Sequence, residues 1–365
     1  MSMIDLMLEH LRNVKPYVPG KPIEELRREK KFEGEIIKLA SNENPYPPVE
    51  GVQKAIMEEL SRLNRYPNSG SYYLCRDLAE FHRVSHDQIF VGNGSNEIID
   101  LLARAFVKPG EEIIYPFPSF IVYPIVSQLV GARAVEVPLK DYRLDLESMK
   151  SKISKNTKMI FICNPNNPTG TYVSAEEIER FMKGIPSDIL VVFDEAYYEY
   201  VVADDFPDIV KRLKDTTNII ILRTFSKIHS LSGLRVGYSI SNEEIVTCLH
   251  KVRQPFNVNR VAQAASRAAL KYIDVIAERV KENREQMRYV EHELKALGFT
   301  VPPSQTNFLL AIPPKGYTNL VGRLMDKGII VRDMKPFGLG NGTFRVTIGT
   351  SYENQRFIEA LKEIM

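Results

Sequence analysis

Thr224-Phe225-Ser226-Lys227-Ile228-His229-Ser230-Leu231-Ser232-Gly233-Leu234-Arg235 follows an apolar run, Asn218 to Leu222, that reads as a strand. A lysine just past a strand end, among hydroxyls and followed by an arginine, is placed to stay partly deprotonated and to act as an amine nucleophile in a Schiff base. The hydroxyls and the arginine suit a dianionic phosphate. Taken alone, a solvated Ser-Lys turn accounts for the same residues, because lysines at strand ends are usually exposed. The decision comes from the rest of the chain.

The apolar alternation around that segment extends in both directions. Short strands are expected at Gln88–Val91, Glu112–Tyr115, Ala134–Val137, Met159–Cys163, Ile189–Phe193 and Ile219–Leu222. Helical segments such as Glu97–Phe106, Ala175–Lys183 and Asp208–Lys214 lie between most of them. Strands alternating with helices predict an α/β unit with a mainly parallel sheet flanked by helices. Beyond Asn259 the pattern changes to one long helical stretch, Val261 to Leu297. Shorter segments follow at Asn307–Ala311, Asn319–Lys327, Ile329–Arg332, Thr343–Gly349 and Asn354–Ile364, a smaller α+β unit. Leu6 to Glu43 is rich in Pro, Gly and charge, with Arg27 to Lys31 as a solvated helical face, and Pro45, Pro47 and Pro48 mark a boundary. The expected division is an N-terminal arm with part of the small domain at 1–47, a large domain at 48–258, and a linking helix with the small C-terminal domain at 259–365.

At 365 residues the chain is long enough for two domains. Its 48 basic and 46 acidic side chains leave a net charge of +2, which argues against nucleic acid or a membrane surface as partner. Cys75, Cys163 and Cys248 form neither a disulfide framework nor a CxxC metal site. The polar, mixed-charge start, Met1 to Lys15, shows no signal peptide, and no apolar run is long enough to span a bilayer. A cytoplasmic, reduced setting is expected.

Ligands of open parallel sheets bind at the carboxyl ends of the strands, and the conspicuous polar residues fall there. Gly92-Asn93-Gly94-Ser95-Asn96 opens a helix whose free N–H groups suit a phosphate. Glu97 stands where a dinucleotide fingerprint has its third glycine, and no GxxxxGK[ST] occurs, so nucleotide sites are disfavoured. Asn164-Pro165-Asn166-Asn167-Pro168-Thr169-Gly170 is a rigid turn that aims an amide into the crevice. Asp194-Glu195-Ala196-Tyr197 places a carboxylate behind five apolar residues, where burial calls for a cationic partner. An ordinary structural turn and an ordinary salt bridge explain the last two motifs singly. Together the four strand ends supply phosphate donors, a partner for a ring oxygen, a counter-charge for a ring nitrogen and a Schiff-base amine. Those are the requirements of pyridoxal 5′-phosphate.

With these motifs the chain resembles the fold-type I pyridoxal-phosphate aminotransferases, and within them the histidinol-phosphate branch. The likeness runs from Pro16-Tyr17-Val18-Pro19-Gly20 to Phe344-Arg345-Val346-Thr347-Ile348-Gly349-Thr350. Further markers are Leu39-Ala40-Ser41-Asn42-Glu43-Asn44-Pro45, Asn64-Arg65-Tyr66-Pro67, Gln305-Thr306-Asn307-Phe308 and Val331-Arg332-Asp333. The resemblance implies that Lys227 carries the cofactor and moves the substrate proton, and that Asp194 pairs with the pyridinium nitrogen. It implies that Asn167 and Tyr197 bond the ring oxygen, and that Phe120 stacks on the ring. Ser95, Asn96, Ser226 and Arg235 would hold the phosphate, with Thr224 assisting. Tyr66 would reach the phosphate of the other subunit, which implies a homodimer with shared sites. Tyr17, Asn44, Arg332 and Arg345 would bind substrate.

The implied activity is transamination between L-histidinol phosphate and 2-oxoglutarate, giving imidazole-acetol phosphate and L-glutamate in histidine biosynthesis. An aromatic amino-acid aminotransferase and an L-threonine-O-phosphate decarboxylase are the alternatives on the same scaffold. A cofactor-binding regulatory protein is disfavoured, because no DNA-binding extension is attached. The chain departs from the family's small residues after the lysine: Ile228, His229 and Ser230 are bulkier, and His229 is expected to be structural. His82 and His86 have helical spacing and are expected on a solvated face rather than as a metal pair.

Overall fold

Strands covered on both faces read as unbroken apolar runs, and the central strands of the larger sheet do. The computed structural model describes residues 2–12, 14, 16, 20–30 and 32–365. Its strands are β1 (Ile37–Leu39), β2 (Ile89–Gly92), β3 (Glu112–Phe117), β4 (Arg133–Pro138), β5 (Thr157–Cys163) and β6 (Leu190–Asp194). They continue with β7 (Ile219–Thr224), β8 (Gly237–Ser241), β9 (Phe308–Ala311), β10 (Ile329–Asp333) and β11 (Phe344–Thr347). Seven form one sheet in the order β2-β8-β7-β6-β5-β3-β4. Only β8 runs against the others, paired antiparallel to both β2 and β7. The remaining four form a second sheet, β1-β10-β11-β9, in which β1 lies parallel to β10.

Alternation along the strands divides the large sheet's contacts between two cores. Ile160, Ile162, Val191, Phe193, Ile219 and Ile221 face one. Met159, Phe161, Cys163, Leu190, Val192, Ile220 and Leu222 face the other, with helix Ser95–Phe106. The smaller sheet has its own core against helices Ile273–Ala296 and Ser351–Ile364, centred on Val290, Leu294, Phe344 and Phe357.

Three expectations change. The helical stretch 261–297 is two helices, Arg260–Ala269 and Ile273–Ala296. The first packs Ala262, Ala265 and Ala269 on the large sheet's core, the second packs Met287, Val290 and Leu294 on the small one, and Tyr272 (φ −112°, ψ 48°) makes the turn between them. Asp208–Lys214 is reduced to a 3-10 turn, Val210–Lys214. His82 is not on a solvated face: its Nε2 lies 2.9 Å from the Tyr238 hydroxyl, and burial pushes its pKa down to about 3. The helix Tyr72–His82 ends there on left-handed Arg83, so His86 sits in a separate turn, off that helical face. Arg27–Lys30 is exposed as expected; Lys31 lies outside the described residues.

Phe161 is fully buried in β5 and stacks on Tyr123 with ring centroids 4.3 Å apart. Phe161→Ala should lower the opening free energy of the β5 and β6 amides by about 3–5 kcal/mol in native-state hydrogen exchange. A loss below about 1 kcal/mol would mean that this core does not hold the sheet together.

Candidate active site

The two-residue period of a strand places Cys163, Asp194 and Thr224 on one face of the sheet, at neighbouring carboxyl ends. Cys163 is in register with Asp194, and Asp194 with Leu222, two residues before Thr224. These three side chains form the floor of a cavity of about 250 Å³. Asp194 is 3% exposed. Its Oδ2 accepts the Tyr123 hydroxyl at 2.7 Å and its Oδ1 the Ala196 N–H at 3.3 Å. Burial raises its pKa; the two hydrogen bonds and the Lys227 charge oppose that rise. The Cys163 thiol is pushed up to about 12 by burial, which leaves it an unreactive wall.

Lys227 enters from the connection between β7 and β8. Burial, then the positive charges of Arg345 and Arg235, push its amine down to about 8. Its Nζ lies 3.5 Å from the Ser41 carbonyl oxygen. Ser95 and Asn96 open their helix on one side of the cavity, with Thr224, Ser226 and Arg235 beside them. Two glycines keep this cradle open. A Cβ at Gly94, whose φ is +79°, would meet Arg235 Nη2 at 2.8 Å, and one at Gly237 would meet the Ser95 nitrogen at 2.6 Å. Glu97 stands where a third glycine would be because its carboxylate accepts the Asn93 N–H and the Asn257 amide.

Across the cavity, the turn after β5 is closed by Gly170 N–H donating to the Asn166 carbonyl at 2.7 Å, which presents Asn167. Asn167 Oδ1 accepts from Arg345, whose guanidinium also donates to the Ala40 carbonyl at 2.8 Å. Tyr197 is buried, and Phe120 lines the same space edge-on to Tyr123. Arg332 and Arg345 are adjacent across the β10–β11 pair and both reach the cavity.

Ser95, Asn96, Phe120, Asn167, Asp194, Tyr197, Thr224, Ser226, Lys227 and Arg235 thus converge, with Arg332 and Arg345. Asn44 does not: its amide donates to the Ile228 carbonyl at 2.9 Å and accepts the Tyr46 N–H at 3.0 Å, which turns it away from the cavity. Tyr66 is 77% exposed and stacks on Phe256, outside the cavity of its own chain. Tyr17 lies outside the described residues. His229 is not among the residues lining the cavity: its ring lies against Phe225 at 4.8 Å, and burial pushes its pKa down to about 4.

Asn42 lines the cavity although in its motif, Leu39 to Pro45, the resemblance assigns a role to Asn44 alone, and Tyr123, which donates to Asp194, stands in no motif. Glu195 and Arg223, which the sequence reading did not single out, are charges at the ends of two apolar strands and pair at 2.8 Å on the other face of the sheet.

Residues 34–361 match the family model for aminotransferase class I and II. The chain is 43% identical to a histidinol-phosphate aminotransferase of Desulfotalea psychrophila, over 98% of this chain and 94% of that one. It is 42% identical to one of Moorella thermoacetica, over 98% and 92%. The fold is similar to the histidinol-phosphate aminotransferase of Sinorhizobium meliloti in complex with pyridoxal-5′-phosphate, with a TM-score of 0.90, 26% identity and 98% of each chain covered. The chain belongs to the class I and II aminotransferases. For a member of that family, the cavity fits a phosphorylated pyridine aldehyde on its own chemistry. It offers a buried carboxylate short of positive charge, a cradle that two glycines hold open, and an amine near neutrality.

A lysine lowered to about 8 is mostly protonated below that pH and mostly neutral above it. The rate at which the apo-aminotransferase captures pyridoxal phosphate should therefore rise most steeply around pH 8 and level off above about pH 9. A profile still climbing towards 10.5 would remove the perturbation.

Proposed function

We propose that this enzyme transfers the amino group between L-histidinol phosphate and 2-oxoglutarate, with pyridoxal phosphate as cofactor, as a step of histidine biosynthesis. The observation that carries the reading is the presence of two guanidinium groups, Arg332 and Arg345, in the cavity that holds Lys227. The relatives' shared description, at 42–43% identity over nearly the whole chain, supports it. When bound, the cofactor supplies an electron sink and the carbonyl that carries the amino group.

Ser95, Asn96, Thr224, Ser226 and Arg235 would bind its phosphate, and Asp194 would face its ring nitrogen. Asn167 and Tyr197 would donate to its ring oxygen, and Phe120 would cover one face. Lys227 Nζ, its amine lowered to about 8 and so partly neutral near that pH, takes and returns the proton at the substrate α-carbon. Arg332 takes the substrate phosphate. Arg345 takes the carboxylate of glutamate or an anionic group of the second substrate, because a planar guanidinium bonds either one bidentately.

We assign the cofactor to residues 48–258, and the substrate arginines to the small domain formed by 1–47 and 259–365, with Arg260–Ala269 as the link. None of the helices is long and apolar enough to cross a membrane among the described residues, and we place the enzyme in the cytoplasm.

Single half-reactions followed by cofactor absorbance test the substrate. L-histidinol phosphate should convert the cofactor faster than L-phenylalanine, and L-threonine phosphate should release no carbon dioxide. Arg332→Gln should raise KM for histidinol phosphate by about 10–100-fold, the worth of a charge-assisted bond, and leave phenylalanine within about two-fold. Faster conversion by phenylalanine, or carbon dioxide release, would replace the assignment. We further propose a homodimer, with the exposed Tyr66 reaching the partner's phosphate cradle. Sedimentation should give twice 41.7 kDa, and Tyr66→Phe should weaken cofactor affinity. A monomer that retains full activity would reject the shared site.

A further inference from the structure

Asn42 is buried with its backbone in the left-handed region (φ +54°), just after β1, and its side chain lines the cavity. Asparagine is among the few residues with a side chain that tolerate this conformation. The side chain is held at both ends. Its own backbone N–H donates to Thr347 Oγ1 at 2.9 Å, and that hydroxyl donates back to Asn42 Oδ1 at 3.3 Å. With the amide oxygen turned to Thr347, Nδ2 donates to the Tyr197 phenol oxygen at 2.7 Å. The Asn42 carbonyl accepts Asn307 Nδ2 at 3.1 Å, which fixes the segment from behind.

A phenol carries one proton and can also accept. Because Asn42 donates to the Tyr197 oxygen, the phenol keeps its own proton for a different partner, and Tyr197 faces the cavity. We propose that Asn42 is a positioning residue that commits the Tyr197 proton to the cofactor's ring oxygen. Through Thr347 on β11, it ties that donor to the smaller sheet. The inference rests on the pyridoxal phosphate reading given above. A donor to the ring oxygen withdraws negative charge from it and lowers the proton affinity of the nitrogen that Lys227 contributes beside it. Losing the donor should therefore raise the pH at which the absorbance of the bound cofactor changes.

The test uses holoenzyme titrated from low to high pH by absorbance. Asn42→Gly accepts the positive φ and removes only the amide. Asn42→Asp keeps size and backbone but offers the phenol an acceptor. The midpoint should rise by about one pH unit in Asn42→Gly, the worth of one hydrogen bond, and further in Asn42→Asp. Tyr197→Phe should shift it as far, and Asn42→Gly combined with Tyr197→Phe should shift it no further than Tyr197→Phe alone. A midpoint unmoved in Asn42→Gly, an additive double variant, or a wild-type profile in Asn42→Asp would each overturn the inference alone. A wild-type protein that takes up no cofactor would overturn the cofactor reading as well.

Discussion

The burial of Asp194 at the end of β6 is the constraint around which the site is arranged. A carboxylate taken out of water loses several kcal/mol of solvation unless charge or hydrogen bonds replace it. Tyr123 and Ala196 N–H supply hydrogen bonds, and these do not cancel the charge. Tyr123 is itself fixed, stacked on Phe161 with its carbonyl accepting the Ser127 hydroxyl. Asp194 therefore cannot turn away, and its residual field points into the cavity. A positively charged ring nitrogen placed there gains what the carboxylate lacks. The same low-dielectric floor depresses the Lys227 amine, so one act of burial moves both groups away from their ordinary pKa values.

On the opposite face, the ends of β6 and β7 are tied by Glu195 and Arg223. Both side chains are at most 4% exposed, and the guanidinium lies 3.4 Å above the Tyr198 ring. Alternation makes this arrangement unavoidable. If Asp194 and Thr224 face the cavity, their chain neighbours Glu195 and Arg223 face the other core, and two lone charges there would be untenable. Each is held by the other: burial pushes Glu195 up to about 7, and the adjacent Arg223 charge pulls against that rise. Removing one partner of such a pair typically costs about 3–5 kcal/mol. The pair thus fixes the spacing of the two strands that present Asp194 and Lys227.

The parallel sheet and the cavity at its strand ends were legible because both depend on local pattern. Apolar runs followed by Gly94-Ser95, Asn167, Asp194 and Ser226-Lys227 announce strand ends whose polar residues meet in one cavity. What stayed hidden depends on partners distant in sequence. β8 is Gly-Tyr-Ser-Ile-Ser, only partly apolar, yet all five residues are buried because they fill the place between β2 and β7. Gly237 is required there by the Ser95 nitrogen, which lies 142 positions earlier in the chain. The break at Tyr272 carries neither glycine nor proline and follows from a change of packing partner. Asn42 and Asn44 belong to one motif, and only the left-handed turn at Asn42 decides which of them looks into the cavity.

The bulky residues after Lys227 are explained by what the loop must withstand. In place of a crossover helix, the connection 225–236, with a 3-10 turn at Ser232–Leu234, returns the chain to antiparallel β8, with Ser230 at φ +61°. Its backbone is clamped from outside the sheet: the Ile228 carbonyl accepts both Asn44 Nδ2 and Arg279 Nη1. Arg279 also donates to the Ser230 hydroxyl at 3.0 Å and the Pro47 carbonyl at 2.7 Å. Ile228 is 1% exposed and packs in a small core with Tyr197 and Phe308, while His229 rests on Phe225. Small residues would leave that core unfilled and the carbonyl free to move. These contacts fix the backbone that carries Lys227, and its four-carbon stem takes the amine from there to within 3.5 Å of the Ser41 carbonyl. Arg279, from the helix that carries the smaller sheet's core, thus links the footing of Lys227 to the part of the molecule that presents Arg332 and Arg345.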